Sequence, residues 1–460
     1  MRSDSEGDLG HGPWWGPVSR AFLRGGVLWR GVLALLLVMA VGSLTLSPSP
    51  HSAVATHGCA GAGSPAGPFD LLAYEAGDWR TAYRRTLELG AFNQLFPGLP
   101  SFAVPPLETG PRASGSSTTV SPYIPPTVLK AIAWIESSWQ MAGSTVPYGE
   151  VGQPLISHSC AYGIMQIVSG MENTGNPPTL GQVSTGSHYG FNVAQGARIL
   201  AGKWNLAPEF RPLVGDRNKA LVEDWYYAIW SYHGFSSTNH PVLNTSYSAT
   251  RGVYRCDGTQ AYNSFPYQEL ILGCVKNPPV VAGTALWSAI PVTLPNLALP
   301  AFSLSSWNAC SVNRQCAGMD MLTPAPSHTD PTTPSGSRNQ AIGTPVLSVS
   351  PLSAVLAAVP DRESQSIAVN VVNSGTGPLA WRVSPSVTWL RLSGVNRLSL
   401  GTDAGSWSAP FQLSASAAGL EPGTYSGVLR ISSLYPEVTK TINVTLIVAK
   451  SGFVPGVVRE

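Results

Sequence analysis

Charge is scarce in this chain. Lys, Arg, Asp and Glu make up 11% of its 460 residues, against about 25% in an average soluble domain. The 27 basic and 25 acidic residues leave a net charge of +2. That balance excludes the basic excess of a nucleic-acid binder and the acidic excess of a solvating tail. Cysteine is also sparse, at six residues, and no C-x-x-C or H-x-x-x-H spacing occurs. A zinc site is therefore a poor reading, and no metal or organic cofactor is implied. No internal repeat is visible, which argues against a solenoid or propeller.

What is plentiful is punctuation and aromatic surface. Pro contributes 40 residues and Gly 47, so much of the chain is turn, loop and linker. The length fits two or three domains at roughly 100–200 residues each. Low charge beside 14 Trp and 15 Tyr suits an exported protein facing carbohydrate.

Near the N-terminus, residues 31–46 form a 16-residue apolar run preceded by Arg20, Arg24 and Arg30. A membrane span needs about 20 apolar residues, and the core of a signal peptide about 7–15. Two readings stay open: a signal peptide cleaved after Ala53-Val54-Ala55, or an uncleaved anchor. Both place everything after residue 55 outside the cytoplasm, secreted or anchored at the cell envelope, and allow membrane contact only through that segment. An oxidising compartment makes disulfides the default for the six cysteines. Sequence proximity favours Cys256 with Cys274 and Cys310 with Cys316.

Residues 1–55 read as an n-region with the signal or anchor, and 56–122 as a tether with one helical segment. Residues 123–316 read as a mainly helical domain. Its last part, 280–316, is apolar but broken by prolines, as in a segment that wraps the preceding domain. Residues 317–344 are a Pro/Ser/Thr linker. From 345 to 450 the period changes: 366–373, 379–383, 388–393, 411–416, 424–432 and 439–449 read as short strands between turn signals. Strands at this spacing predict a β-sandwich. Residues 451–460 are a tail.

The most informative segment starts at Pro125-Pro126, where prolines suit the first turn of a helix. In residues 127–140 Leu129, Ile132, Ala133 and Glu136 share one face, and Lys130 and Glu136 are the only charges. A carboxylate near the end of a buried apolar face should have a raised pKa, as a general acid for glycoside cleavage requires.

Three further stretches follow in order: Ala161-Tyr162-Gly163-Ile164-Met165-Gln166-Ile167, Asn192 to Leu200, and Ser231-Tyr232-His233-Gly234. With Glu136-Ser137 they resemble the motifs of soluble lytic transglycosylases, within the lysozyme-like superfamily, over residues 123–275. Those motifs are E-S, A-x-G-L-M-Q-I, N-x-x-x-G-x-x-Y-L and A-Y-N-x-G. The last departs most, with Ser for Ala and His for Asn; Pro266-Tyr267 and Val275 match a late Y-x-x-x-V helix weakly. The resemblance implies a multidomain protein, a mainly α lysozyme-like catalytic domain plus an all-β sandwich. It implies cleavage of the MurNAc–GlcNAc β-1,4 linkage of peptidoglycan glycan strands, with Glu136 as catalytic acid and base and a 1,6-anhydro product. It also implies Gln166, Met165, Tyr232, Ser137 and Tyr267 as substrate-binding residues. Residues 345–449 resemble an Ig-like domain of the BACON type, which implies a spacer or a binder of cell-wall carbohydrate.

An ordinary glycosidase uses two carboxylates, and no motif marks a partner for Glu136 among Glu150, Glu172, Glu209, Asp216, Glu223, Asp224, Asp257 and Glu269. One acid suffices for intramolecular attack by the sugar's 6-hydroxyl. A hydrolytic muramidase and a non-catalytic wall-binding surface protein remain the alternatives. On this reading residues 345–460 are dispensable for cleaving soluble fragments.

Overall fold

Short helices and short strands alternate with long irregular stretches, as 40 Pro and 47 Gly dictate. The computed structural model describes residues 66–112, 118–207, 209–401 and 409–450. The expected signal or anchor segment, the cleavage site, Cys59, Trp407 and the tail after 450 lie outside the described residues. Among the described residues no helix is long and apolar enough to cross a membrane.

The first part of the chain carries strand β1 (Ala73–Tyr74), helix α1 (Trp79–Ala91), strands β2 (Leu107–Thr109) and β3 (Thr118–Val120), and helix α2 (Pro126–Ser137). Strand β4 (Val151–Gly152) pairs with β1. Helices α3 (Leu180–Ser187), α4 (Tyr189–Asn205), α5 (Tyr226–Tyr232) and α6 (Tyr267–Lys276) follow. Strands β5 (Val280–Val281) and β6 (Thr284–Ala285) and helix α7 (Leu304–Ser311) lead to α8 (Arg338–Ile342). Helix α2 is buried from Pro126 to Ala133 and packs between α1 and α6. Trp287, Ile290, Val292 and Phe302, from residues 280–316, are buried in the same core. Cys256–Cys274 and Cys310–Cys316 are disulfides.

The rest is a β-sandwich. One sheet has the order β12 (Leu398–Leu400), β10 (Pro378–Pro385), β14 (Gly423–Leu434), β15 (Glu437–Val448), β8 (Ser353–Ala358). The other runs β11 (Leu390–Ser393), β13 (Ala409–Ala415), β9 (Ile367–Asn373), β7 (Leu347–Ser350). All pairs are antiparallel except β15 with β8. Trp381, Phe411, Leu413, Ile431, Ile442 and Leu446 fill the space between the sheets, the inward half of a period-2 pattern.

The expectation of a mainly α lysozyme-like catalytic domain joined to an all-β sandwich is corrected here. Among the described residues helix accounts for about 26% and strand for about 23%. The reason is local: α3, α5, α7 and α8 are eight residues or fewer, and prolines keep the segments between α6 and α8 out of longer helices.

Residues 317–344 do not hang free. Asp320 pairs with Arg112 at 2.6 Å, His328 with Glu223 at 2.8 Å, and Ser335 donates to Glu88. The segment straps the helices down and delivers the chain to the sandwich.

Candidate active site

Helix α2 begins at a proline that carries no side-chain cap. The buried Thr127 N–H, which has no partner within the helix, is taken instead by the Asp330 carboxylate of the strap, at 2.6 Å, a cap supplied across the chain. The helix ends where Ser138 and Trp139 turn left-handed, at φ 54° and 57°. The Trp139 ring then folds under the helix and donates its indole N–H to the Lys130 carbonyl at 3.0 Å. This stop leaves Glu136 in the last turn.

The residue after it ties the helix to the next motif. Ser137 Oγ lies 2.9 Å from the Ala133 carbonyl oxygen and 2.8 Å from that of Ile164. Tyr162 and Ile167 exchange backbone hydrogen bonds at 3.0 Å, pinching residues 163–166 into a tight loop. Gly163 has φ 66°, and a Cβ there would meet Met141 Sδ at 2.6 Å and Asn192 Nδ2 at 2.7 Å. Only glycine fits such a position. Asn192, fully buried, clips the loop to α4. Its Oδ1 accepts from Met165 N–H at 2.8 Å, and its Nδ2 donates to the carbonyls of Tyr162 and Thr185 at 2.8 and 2.9 Å. One turn on, Gly196 lets Met165 pack flush, since a Cβ would come within 2.7 Å of its side chain. The N-x-x-x-G spacing is thus one helix face that receives a loop.

Two tyrosines close the site from the other side. Tyr267, at the start of α6, donates its hydroxyl to Glu136 Oε1 at 2.5 Å. Tyr232, at the end of α5, donates to the Met165 carbonyl at 2.8 Å. His233 stacks on the Tyr267 ring, centroids 4.5 Å apart.

Desolvation by these apolar neighbours lifts the Glu136 carboxyl to about 7, against the pull of the Tyr267 hydroxyl, which favours the charged form. Part of the residue remains accessible, as reaching a substrate requires. Tyr232 and Tyr267 are themselves pushed well above the usual phenol range, first by burial and then by the charge of Glu136. They stay protonated donors.

The structure thus brings Glu136, Ser137, Met165, Gln166, Tyr232 and Tyr267 into one neighbourhood, with different tasks. Ser137 and Met165 are buried and hold the helix and loop. Gln166, half-buried at φ 47°, donates its amide to the Gly163 carbonyl at 2.8 Å, which leaves its Oε1 as the acceptor. Asn192, whose motif position does not by itself reveal its role, stands four residues before Gly196 in the N-x-x-x-G spacing and positions the loop.

The other acids named from the sequence are either occupied by partners or exposed. Glu269 pairs with Arg251 at 2.6 Å. Glu223 accepts from Thr293 N–H and His328, and Asp224 from Thr323 and Asn218 N–H. Glu150, Glu172, Glu209, Asp216 and Asp257 are exposed. Among the described residues no second carboxylate contributes to the shift at Glu136.

No protein-family model matches this chain, and no curated protein does. Among solved structures it is similar to the ASH/PapD-like domain of human CEP192, at 12% identity and TM-score 0.19, covering 23% of this chain and 86% of that one. A family 123 glycoside hydrolase from Clostridium perfringens matches at 11% identity and TM-score 0.18, over 23% of this chain and 27% of that one. An endo-fucoidan hydrolase of glycoside hydrolase family 107 matches at 15% identity and TM-score 0.16, over 23% and 14%. Likenesses this slight carry no argument about fold or activity.

Proposed function

We propose that the chain is an exported lytic transglycosylase that cleaves the MurNAc–GlcNAc β-1,4 linkage of peptidoglycan strands, with Glu136 as its one acid and base. The observation that carries the proposal is a desolvated carboxyl near 7, held by Tyr267 and, among the described residues, without a carboxylate that shifts it. The ordered motifs around it support the same reading, and the disulfides support export.

The chemistry follows from that geometry. Protonated Glu136 gives its proton to the glycosidic oxygen as the bond to C1 of MurNAc breaks. The carboxylate left behind is stabilised by the Tyr267 hydroxyl. It then takes the proton of the MurNAc 6-hydroxyl, whose oxygen bonds to C1. The ring closes without water, and Glu136 ends protonated as it began. Gln166 Oε1 and the exposed rim beside Tyr267 contact the sugar.

The test is mass spectrometry of peptidoglycan digested with residues 56–460. The expected products end in 1,6-anhydro-MurNAc, one water lighter than reducing ends, and Glu136→Gln releases none while folding normally. Hydrated reducing ends would make the protein a muramidase. No products from folded wild type would leave a wall-binding role.

A further inference from the structure

We infer that Asn239 is a positioning residue for Glu136: it caps α6 from outside the helix and so seats Tyr267, whose hydroxyl holds the Glu136 carboxyl. Its bearing on catalysis rests on the glycan-cleaving reading of the site.

Helix α6 opens without a local cap. Its N-cap position is Pro266, which makes no side-chain cap hydrogen bond, and the first turn of a helix leaves its N–H groups without helical partners. Tyr267 carries the first of these, and Tyr267 is buried. Asn239 Oδ1 accepts that N–H at 3.2 Å, from 28 residues away. A backbone N–H can only donate, so the amide is fixed with its oxygen toward α6. Its Nδ2 lies 3.2 Å from Nδ1 of His233, whose ring stacks on that of Tyr267. Gln268 Nε2, the next side chain of α6, donates to the Asn239 carbonyl at 2.8 Å. One buried residue thus grips the start of α6 through both its side chain and its backbone.

Asn239 is itself anchored. It ends a single 3-10 turn, Ser237–Asn239, and donates its N–H to the Ser236 carbonyl at 3.2 Å. The next residue, His240, is fully buried. Its Nδ1 accepts the N–H groups of Val242 and Leu243 at 3.2 and 3.0 Å, and its ring meets those of Trp230 and Trp307 at near right angles. His240 pins the loop in the core, and Asn239 carries that anchorage to α6. The Tyr267 hydroxyl stands at the far end of a rigid ring, 2.5 Å from Glu136 Oε1. A shift of the backbone at the root of that ring is passed to the hydroxyl, and a hydrogen bond weakens steeply as its alignment is lost. The bond favours the ionised carboxyl, so a looser grip makes Glu136 harder to ionise.

Two measurements test this, and neither needs cleavage. The first is amide hydrogen exchange at Tyr267. Exchange is expected to be slow in the wild type and in Asn239→Asp, which keeps an accepting oxygen; exchange at the rate of an unprotected amide in the wild type overturns the inference, whether or not other variants fold. The second is a cycle read by carbon-13 NMR of the Glu136 carboxyl. Asn239→Leu keeps the volume and removes the acceptor, and its Glu136 midpoint is expected about one pH unit above that of the wild type, roughly a tenfold change in ionisation. Tyr267→Phe should move the midpoint at least as far, and the double variant should match Tyr267→Phe alone, because Asn239 acts through Tyr267. A midpoint unmoved by Asn239→Leu, or a double variant whose shift is the sum of the two singles, overturns the inference and leaves the cleavage reading standing. A wild type that releases no products from peptidoglycan while the cycle holds overturns the cleavage reading and keeps Asn239 as the residue that seats Tyr267.

Discussion

On the proposed mechanism the Glu136 carboxyl gives a proton and later takes one back, so its pKa has to lie near the working pH. Burial places it at about 7. The sign follows directly. The first step needs the protonated form, which exists below the pKa, so kcat/KM is expected to be flat on the acid side and to fall as pH rises through about 7. Tyr267 sets where that fall occurs, because its hydroxyl stabilises the carboxylate. Tyr267→Phe removes a hydrogen bond to a charged group, worth about 1.5–3 kcal/mol. The falling limb should move to higher pH, and kcat should drop roughly 10- to 100-fold as the second step loses its stabilised base. A pH–rate profile of both proteins checks this; a limb that stays at its wild-type pH would remove Tyr267 from the control of Glu136. At this scale the sequence was informative where residues lie close along the chain. Glu136-Ser137 and Tyr162 to Ile167 declared themselves, since a helix stop and a glycine-dependent loop leave local signatures. The grip of Tyr267 on Glu136 spans 131 residues, and no spacing rule reaches that far.

Helix α2 shows what one element needs in order to present such a residue. Its apolar face was visible from Pro126 onward, yet the same helix carries Lys130, 2% exposed. The charge is matched by Glu88 of α1 at 2.7 Å, and Glu88 also accepts from Ser335 N–H at 3.0 Å. Helix α1, α2 and the strap thus meet at one buried ion pair. Removing one partner strands the other, at a cost of about 3–5 kcal/mol. Lys130→Met is expected to lower stability by that order in denaturant titration, and Lys130→Met with Glu88→Leu to recover much of it. If the double variant is no better than the single, the pair does not act as a unit. Elements were legible in proportion to their period. The β14–β15 hairpin and β9 alternate cleanly, whereas β8 reads Ser-Ala-Val-Leu-Ala-Ala and β12 has three residues, too little pattern to separate from loop. The strap was legible only as composition. Its Asp320, His328, Asp330 and Ser335 are polar residues of the kind any linker carries, and only the fold shows that each has a partner elsewhere in residues 66–316.

Across the whole molecule, the boundary read from sequence at residue 345 is an interface. Tyr435, at the turn between β14 and β15, sets its ring edge on Phe96 at 5.4 Å, and Phe96 stacks flat on Phe191 of α4 at 4.0 Å. Ala380 of β10 and Leu398 of β12 are buried in the same core as the helices, beside Ile342. The backbones come close enough that a Cβ on Gly343 would lie 2.7 Å from Gly377. Arg397 donates to the Asp70 carbonyl at 3.0 Å, so the sandwich also touches the start of the described chain. Uncovering Phe96 and Ile342 alone costs up to about 3–6 kcal/mol at about 1.5–3 kcal/mol per large apolar side chain, a large part of the 5–15 kcal/mol that holds a typical domain folded. The sequence-based expectation that residues 345–460 can be deleted freely therefore reverses. A chain ending at residue 344 is expected to melt well below the longer protein and to lose glycan cleavage with its fold, while the longer protein unfolds in one cooperative calorimetric transition. Two separate transitions, with the lower or upper one reproduced by the truncated chain, would mean that the sandwich rests on the helices without stabilising them, and cleavage would then survive the deletion.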